Sequence, residues 1–403
     1  MNLLRPPGPE IRGILAFLPG LIDKTFPLPG RFRAGLARGT AELSRLLTGG
    51  RTEREKNYLE KPERLSAYLR YFLPWNVCRL SRLLPNLPLE LRNGDRITDL
   101  GAGPLTFAVS LWISRPELRK LDLEFRCVDR AAPALEAGKR LFAALTGVPE
   151  FRGVSPWRIK TIRGSLDAEI RGGPAALVTA VNVYNEVYEG LSPADRRGLE
   201  ELAAKSARRL ASLAEPRGAV LVVEPGIPRS GEFIAALRGA LMETGRFPRS
   251  PCTHRGACPF PGTLGGLKGR RKERWCRFAF TADEAPAELL RLSGDAGIPK
   301  ERLSLSFLLA GGGEDRAKSA AKKTRTADAA EKGGPLRIIS DSFPLPGGLR
   351  GRYGCGAEGL FLLRGGGKTG ARYDSGSLLE KYRVIPEAGD AKSGAVIVEA
   401  EGE

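Results

Sequence analysis

Between Arg96 and Pro225, short apolar runs alternate with amphipathic stretches, and this alternation constrains the fold more than anything else in the chain. The runs "RITDL", "LEFRCVDR", "WRIKTIRGSLD", "AALVTAVNVYNEV" and "GAVLVVEPG" read as strands, and "TFAVSLWISRPEL", "PALEAGKRLFAAL" and "ADRRGLEELAAKSARRLASLA" read as the helices between them. Strands joined through helices pair in parallel, so the pattern predicts a doubly wound α/β sheet. Residues 1–95 precede it as a helical region, because "RFRAGLARGTAELSRLL" and "RLSAYLRYFLPWNVCRLSRLL" space their apolar residues three and four apart. After residue 245 the alternation fails. The expected organisation is a helical region at 1–95, the α/β domain at 96–245, and a cysteine-rich basic segment with sheet-completing strands at 246–310. A Gly, Ala and Lys-rich linker at 311–335 and a small β-rich region at 336–403 complete it.

Composition narrows the partners. Lys and Arg number 64 against 46 Asp and Glu, a formal charge of +18, which suits a polyanion and also suits plain solubility. No run of 18 apolar residues exists, so no membrane span is expected. The apolar "ILAFLPGLI" lacks a cleavage site and reads poorly as a signal peptide. Six cysteines in 403 residues are too few for a secreted disulfide framework. A soluble, cytoplasmic monomer is expected, with the mitochondrial matrix as the alternative because Arg5, Arg12, Arg31, Arg33, Arg38 and Arg45 crowd the first fifty residues.

Two stretches carry chemistry. In "ITDLGAGPLT" a carboxylate, Asp99, ends a strand and Gly101 and Gly103 turn the chain into a helix, where backbone can approach a ligand and free N–H groups face it. Asp129 closes the next strand, where a carboxylate can accept ribose hydroxyls. In "PCTHRGACPF" Cys252, His254 and Cys258 fall within seven positions, Cys276 follows in "RWCRF", and Cys355 lies in "RYGCGAEG". Four cysteines among Pro, Gly and polar residues suit zinc or an iron–sulfur cluster. Zinc held by Cys252, His254, Cys258 and Cys276 stays open, whereas Cys78 and Cys127 fit apolar patterns and read as core. Around the cysteines Arg246, Arg249, Arg255, Lys268, Arg270, Arg271, Lys272 and Arg274 face only Glu273 in sequence. Arg255, Lys268, Arg270, Arg271, Lys272 and Arg274 are candidate RNA-facing residues, with Trp275 and Phe278 as stacking surfaces or core.

The glycine turn and its acids resemble the class I S-adenosylmethionine-dependent methyltransferases. That resemblance implies Asp99, Gly101 and Gly103 beside the methionine part of the cofactor, Asp129 at its ribose and Asp167 near its adenine. It also implies "NVYNEV" facing the methyl group, with Asn182, Asn185 and Glu186 as candidates to orient an acceptor or take a proton. Leu105 stands where many members have a third glycine. Taken together, "DLGAGPLT", "NVYNEV", "VLVVEPG", "PCTHRGACP", "WCRF" and "ERLSLSFLLA" resemble the methyltransferase-like small-ribosomal-subunit assembly family. This second resemblance implies a [4Fe-4S] cluster on Cys252, Cys258, Cys276 and Cys355, and binding to small-subunit rRNA or the immature small subunit. It leaves open whether the chain transfers methyl groups or uses the fold as a binding platform. A zinc-dependent or redox-sensing regulator is a third class.

Overall fold

The structure is a computed structural model that describes residues 2–48, 58–192, 194–260, 275–313, 334–366, 373–390 and 393–401. Two compact units account for it: one of residues 5–190 with 280–303, the other of residues 1–4, 191–279 and 304–403.

The first unit is built on four parallel strands, β1 (Arg96–Leu100), β2 (Glu124–Asp129), β3 (Arg158–Arg163) and β4 (Ala175–Val181), in the order β3-β2-β1-β4. Central β1 is buried from Ile97 to Leu100, as a strand covered on both faces must be. Register sets Asp99 between Cys127 on β2 and Thr179 on β4. The helix Thr106–Ser114 is buried at every position. Its Trp112 meets Phe142, Phe151 and Trp157 edge-on, with centroids 4.9–5.6 Å apart. Cys78 and Cys127 are buried, as their apolar settings predicted.

The helical expectation for residues 1–95 holds in the described part, with one refinement. The run from Pro62 is an α-helix to Ala67, a π-helical turn over Tyr68–Phe72, and an α-helix over Leu73–Leu83. Pro74 causes the break: it has no N–H for the carbonyl four residues earlier, and its ring crowds that carbonyl, so the ladder widens there. The apolar run "ILAFLPGLI" lies within the helix Pro9–Thr25, whose Ile11, Ile14, Leu15, Leu18 and Ile22 are buried.

In the second unit β5 (Ala214–Pro225), β6 (Phe247–Ser250) and β8 (Arg302–Gly311) run antiparallel with β8 between the others, and β7 (Phe278–Thr281) also pairs with β8. Helices Arg196–Leu213 and Pro228–Glu243 flank β5 in sequence. Asp195 caps the first of them by accepting from the Gly198 N–H at 2.8 Å. The C-terminal β-rich part is a seven-stranded sheet made of β9 (Leu336–Ile338), β10 (Phe343–Pro344), β11 (Arg350–Gly356), β12 (Gly359–Gly365), β13 (Leu378–Leu379), β14 (Tyr382–Gly389) and β15 (Val396–Ala400). The path runs β13-β9-β11-β12-β15-β14, with β10 on β11. Leu336, Ile338, Phe361, Leu363, Leu379, Tyr382 and Val398 form its core. The linker expected at 311–335 falls mostly on residues 314–333, outside the described residues.

Candidate functional site

A cavity of about 360 Å³ opens at the C-terminal ends of β1, β2 and β4, where open α/β sheets receive ligands. Asp99, Gly101, Gly103, Asp129, Asn182 and Glu186 line it, so the structure brings together all but two of the residues expected there. Asp167 and Asn185 are not among the lining residues; the neighbours Gly164, Ser165 and Leu166 are.

Each glycine of the turn answers to a different requirement. Gly101 has φ +66° and a Cβ there would lie 2.4 Å from a methyl of Val183. Gly103 has φ +51° and a Cβ there would meet nothing within 4 Å, so its backbone is bare toward open space. Leu105, in the third-glycine position, nevertheless takes a left-handed conformation, φ 57° and ψ 38°, at the N-cap of Thr106–Ser114. An L-residue there costs roughly 1–2 kcal/mol. Complete burial of the leucine offsets that cost, and Gly138 makes room, since a Cβ at 138 would lie 2.5 Å from Leu105 Cγ.

The two acids differ in their partners. Asp129 accepts from the Gly103 N–H and the Ala131 N–H, both at 2.8 Å, which fixes its carboxylate across the glycine turn. Asp99 is 1 % exposed and accepts from Thr179 Oγ1 at 2.6 Å through Oδ1, while its Oδ2 is buried with no partner among the described residues. Burial, opposed by the Thr179 hydrogen bond and reinforced by Asp129, pushes the Asp99 carboxyl up to about 7. A buried carboxyl with an open oxygen beside a glycine turn is poised to receive a cation or a donor.

The opposite wall was not anticipated. Tyr58, Leu59, Tyr68 and Asn76 from the helical region line the cavity, and the Tyr58 hydroxyl donates to Glu186 at 3.0 Å. Burial and then the Glu186 charge hold both phenols well above their ordinary range, so they serve as donors. An aromatic in a helical repeat gives no sign of which cavity it faces; the only available cue was Pro74, which marks the widened turn that carries Tyr68.

The cysteine group lies in the second unit. Cys252 and Cys258 sit in the loop after β6, Cys276 two residues before the start of β7, and Cys355 on β11. Antiparallel pairing of β9 with β11 sets Cys355 opposite Arg337. Ser306 on β8 holds the Cys276 carbonyl at 2.8 Å, and the Trp275 Nε1–H donates to the Gly226 carbonyl at 3.2 Å. Burial raises all four thiols, and the charges of Cys252, Cys355 and Cys258 reinforce the rise at Cys276, so the four share one electrostatic neighbourhood. His254 Nε2 lies 3.7 Å from Cys355 Sγ. Among the described residues no three His, Cys, Asp or Glu side chains close around a single-ion position. The Arg255 guanidinium stacks on Phe247 at 4.1 Å, and Phe278 is fully buried against Phe307, which removes it as a surface for bases. Lys268, Arg270, Arg271, Lys272 and Arg274 lie outside the described residues.

A parallel half-sheet of order β3-β2-β1-β4, with a glycine turn after β1 and an acid at the end of β2 on a shared cavity, defines a class I S-adenosylmethionine methyltransferase-type fold. The sequence profile of the family described as mitochondrial small ribosomal subunit Rsm22 matches residues 94–339, more than half of the chain. The chain belongs to that family. No curated protein matches by sequence. Among solved structures, a methyltransferase from Pyrococcus furiosus is similar at 14 % identity over 41 % of this chain and 72 % of its own, with a TM-score of 0.29. A SAM-dependent methyltransferase from Thiobacillus denitrificans with S-adenosyl-L-homocysteine is similar at 12 % identity, over 67 % and 98 %, with a TM-score of 0.32. A 16S rRNA (adenine(1408)-N(1))-methyltransferase variant from Catenulisporales acidiphilia is similar at 14 % identity, over 56 % and 88 %, with a TM-score of 0.30.

Proposed function

We propose that this protein binds S-adenosylmethionine in the β1–β4 cavity, carries a [4Fe-4S] cluster on Cys252, Cys258, Cys276 and Cys355, and engages the rRNA of the small ribosomal subunit. The observation that carries the cofactor reading is the meeting of Asp99, Gly101, Gly103 and Asp129 on one cavity. Asp129, already fixed by two backbone N–H groups, keeps lone pairs for ribose hydroxyls. Gly103 leaves its backbone open to close approach, and the free Oδ2 of Asp99 suits the cationic end of the ligand. The cofactor supplies an electrophilic methyl group on a sulfonium. The chain's part is to hold an acceptor in line with it, because alignment supplies most of the rate.

The thiol group fits a cluster by its donor chemistry, since four cysteines of one electrostatic neighbourhood are the ordinary ligand set. Zinc on Cys252, His254, Cys258 and Cys276 is the weaker reading, because His254 is turned to Cys355 and that set would leave a thiol against one of its own ligands. The family's name supports a small-subunit partner and favours the mitochondrial matrix over the cytoplasm. The charge of +18 supports a polyanionic one.

A second reading keeps cofactor and RNA binding but drops methyl transfer. The Tyr58–Glu186 hydrogen bond favours it, because it occupies the carboxylate at the strand end where an acceptor would arrive. Calorimetry with S-adenosylmethionine tests the cofactor. Saturable binding is expected, and its absence at millimolar ligand removes both readings of the cavity. Transfer of labelled methyl to immature small subunits then separates the two. Binding to small-subunit rRNA should weaken steeply with salt, as phosphate contacts require. A flat salt dependence would exclude them.

A further inference from the structure

We propose that Arg238 is the positioning and charge-balancing residue of the four-thiol site, an inference that rests on the reading of Cys252, Cys258, Cys276 and Cys355 as ligands of one cluster. Arg238 stands on the helix Pro228–Glu243 and is 5 % exposed. Its Nη2 donates to the His254 carbonyl at 3.0 Å and to the Gly256 carbonyl at 2.8 Å. Both carbonyls lie inside the loop that runs from Cys252 to Cys258, so one guanidinium fixes the path between two ligands. A buried cation clasped between Cys252 and Cys258 in this way stands beside the negative charge that thiolates there would carry.

The helix that carries Arg238 is itself held to the site. Gly231 lies seven residues before Arg238, hence on the same helical face. A Cβ at Gly231 would sit 2.7 Å from Trp275, the residue next to Cys276. The face therefore touches the polypeptide beside Cys276 through Gly231 and the Cys252–Cys258 loop through Arg238. Arg337 is the second cation, but neither carbonyl it holds lies between Cys252 and Cys258: its Nε donates to the Pro251 carbonyl at 3.2 Å and its Nη1 to the Gly376 carbonyl at 2.8 Å.

A buried guanidinium is costly unless an anion offsets it. Cysteines bind metal as thiolates, so filling the site places that negative charge against Arg238. Two consequences follow. The cation stabilises the loaded site, and it eases entry of a further electron by offsetting its charge. Arginine suits the first role through its fork of donors and the second through its charge alone, and lysine keeps only the charge.

The experiment uses full-length protein purified anaerobically as the wild type, Arg238→Gln, Arg238→Lys and Arg337→Gln. Bound iron and sulfide, retention of iron against a chelator, and the reduction potential by titration are measured on each. Arg238→Gln should retain iron about 10- to 100-fold less well, the usual effect of losing an outer-shell partner, with a more negative potential in the fraction that stays loaded. Arg238→Lys should hold the wild-type potential while losing part of the retention, and Arg337→Gln should shift the potential less than Arg238→Gln. If Arg238→Gln does not fold, the lysine variant decides: a potential displaced from that of the wild type overturns the charge role. Wild-type retention and potential in Arg238→Gln, or a larger shift in Arg337→Gln, overturns the proposal. Wild-type protein free of iron and sulfide sinks the cluster reading itself, before any variant is compared.

Discussion

Gly101→Ala should destabilise the protein by about 2–5 kcal/mol and cost cofactor binding with it. Two penalties combine. An alanine at φ +66° carries the left-handed strain of roughly 1–2 kcal/mol. Its Cβ would also lie 2.4 Å from Val183, which is nearly buried and cannot swing clear, and overpacking of that kind costs roughly 1–3 kcal/mol. Val183 lines the same cavity, so relief of the clash moves that wall. Denaturant unfolding of Gly101→Ala, Val183→Ala and the double variant separates the terms. The double variant should be more stable than the sum of the single changes implies, because the second substitution removes the clash created by the first. Additive losses would show that the clash is absent in solution. Gly103→Ala is the contrast, since its Cβ meets open space at φ +51°: only the left-handed strain of roughly 1–2 kcal/mol is expected there, without the clash, together with weakened cofactor binding.

The same comparison shows what was legible in the sequence. A glycine forced by backbone geometry can be recognised from its setting between a strand and a helix, so the turn at 101–103 and the acids at Asp99 and Asp129 were readable from residue type and spacing. Strands that bury both faces announce themselves as apolar runs, which is why β1, β2, β4, β5 and β8 were evident. β11 was not, for a physical reason. Three of the seven residues of its "RGRYGCG" are glycine, because Phe343 crowds position 351 and Leu336 crowds position 356, and neighbours rather than its own side chains fill the space. β6 was hidden too, since "FPRS" holds a proline that an edge strand tolerates and no alternation.

Position within the fold was harder to read than chemistry. Cys355 could be named as a candidate ligand, but its antiparallel neighbour could not: β9 is a short run whose own residues do not say which strand it joins. The return of residues 280–303 to the unit of residues 5–190 leaves no local trace either. There Trp75 donates to Ser293 at 3.2 Å and Tyr71 to the Ile298 carbonyl at 3.2 Å, contacts more than two hundred residues apart in sequence. Arg238 was invisible for a related reason: a single arginine in a helix looks like solvated surface until the loop it clasps is folded onto it.

Asp99→Asn should reverse the usual sign of a mutation in a binding site, stabilising the protein at neutral and higher pH while weakening its hold on the cofactor. The folded Asp99 carboxyl titrates at about 7 because it is buried, against an ordinary value of 3.8. The folded state thus keeps a proton that the unfolded chain releases. Stability from this group is present in full below the unfolded value and is lost as pH rises through 7. The asparagine has no such term. The variant should therefore gain on the wild type by roughly 2–3 kcal/mol between about pH 5 and pH 8, as 1.36 kcal/mol per unit requires over most of that range. Thr179 Oγ1 can still donate to the amide oxygen, so the local hydrogen bond survives. Parallel stability curves for the two proteins across this range would show that Asp99 is ionised when folded. The ligand supplies the converse: a cationic cofactor beside Oδ2 draws the carboxyl into its charged form. Binding to the wild type should then release part of a proton near pH 6, read as a dependence of the calorimetric heat on buffer. Asp99→Asn should bind with no such dependence and more weakly, because the charge that repays burial of the carboxylate is the one the ligand brings.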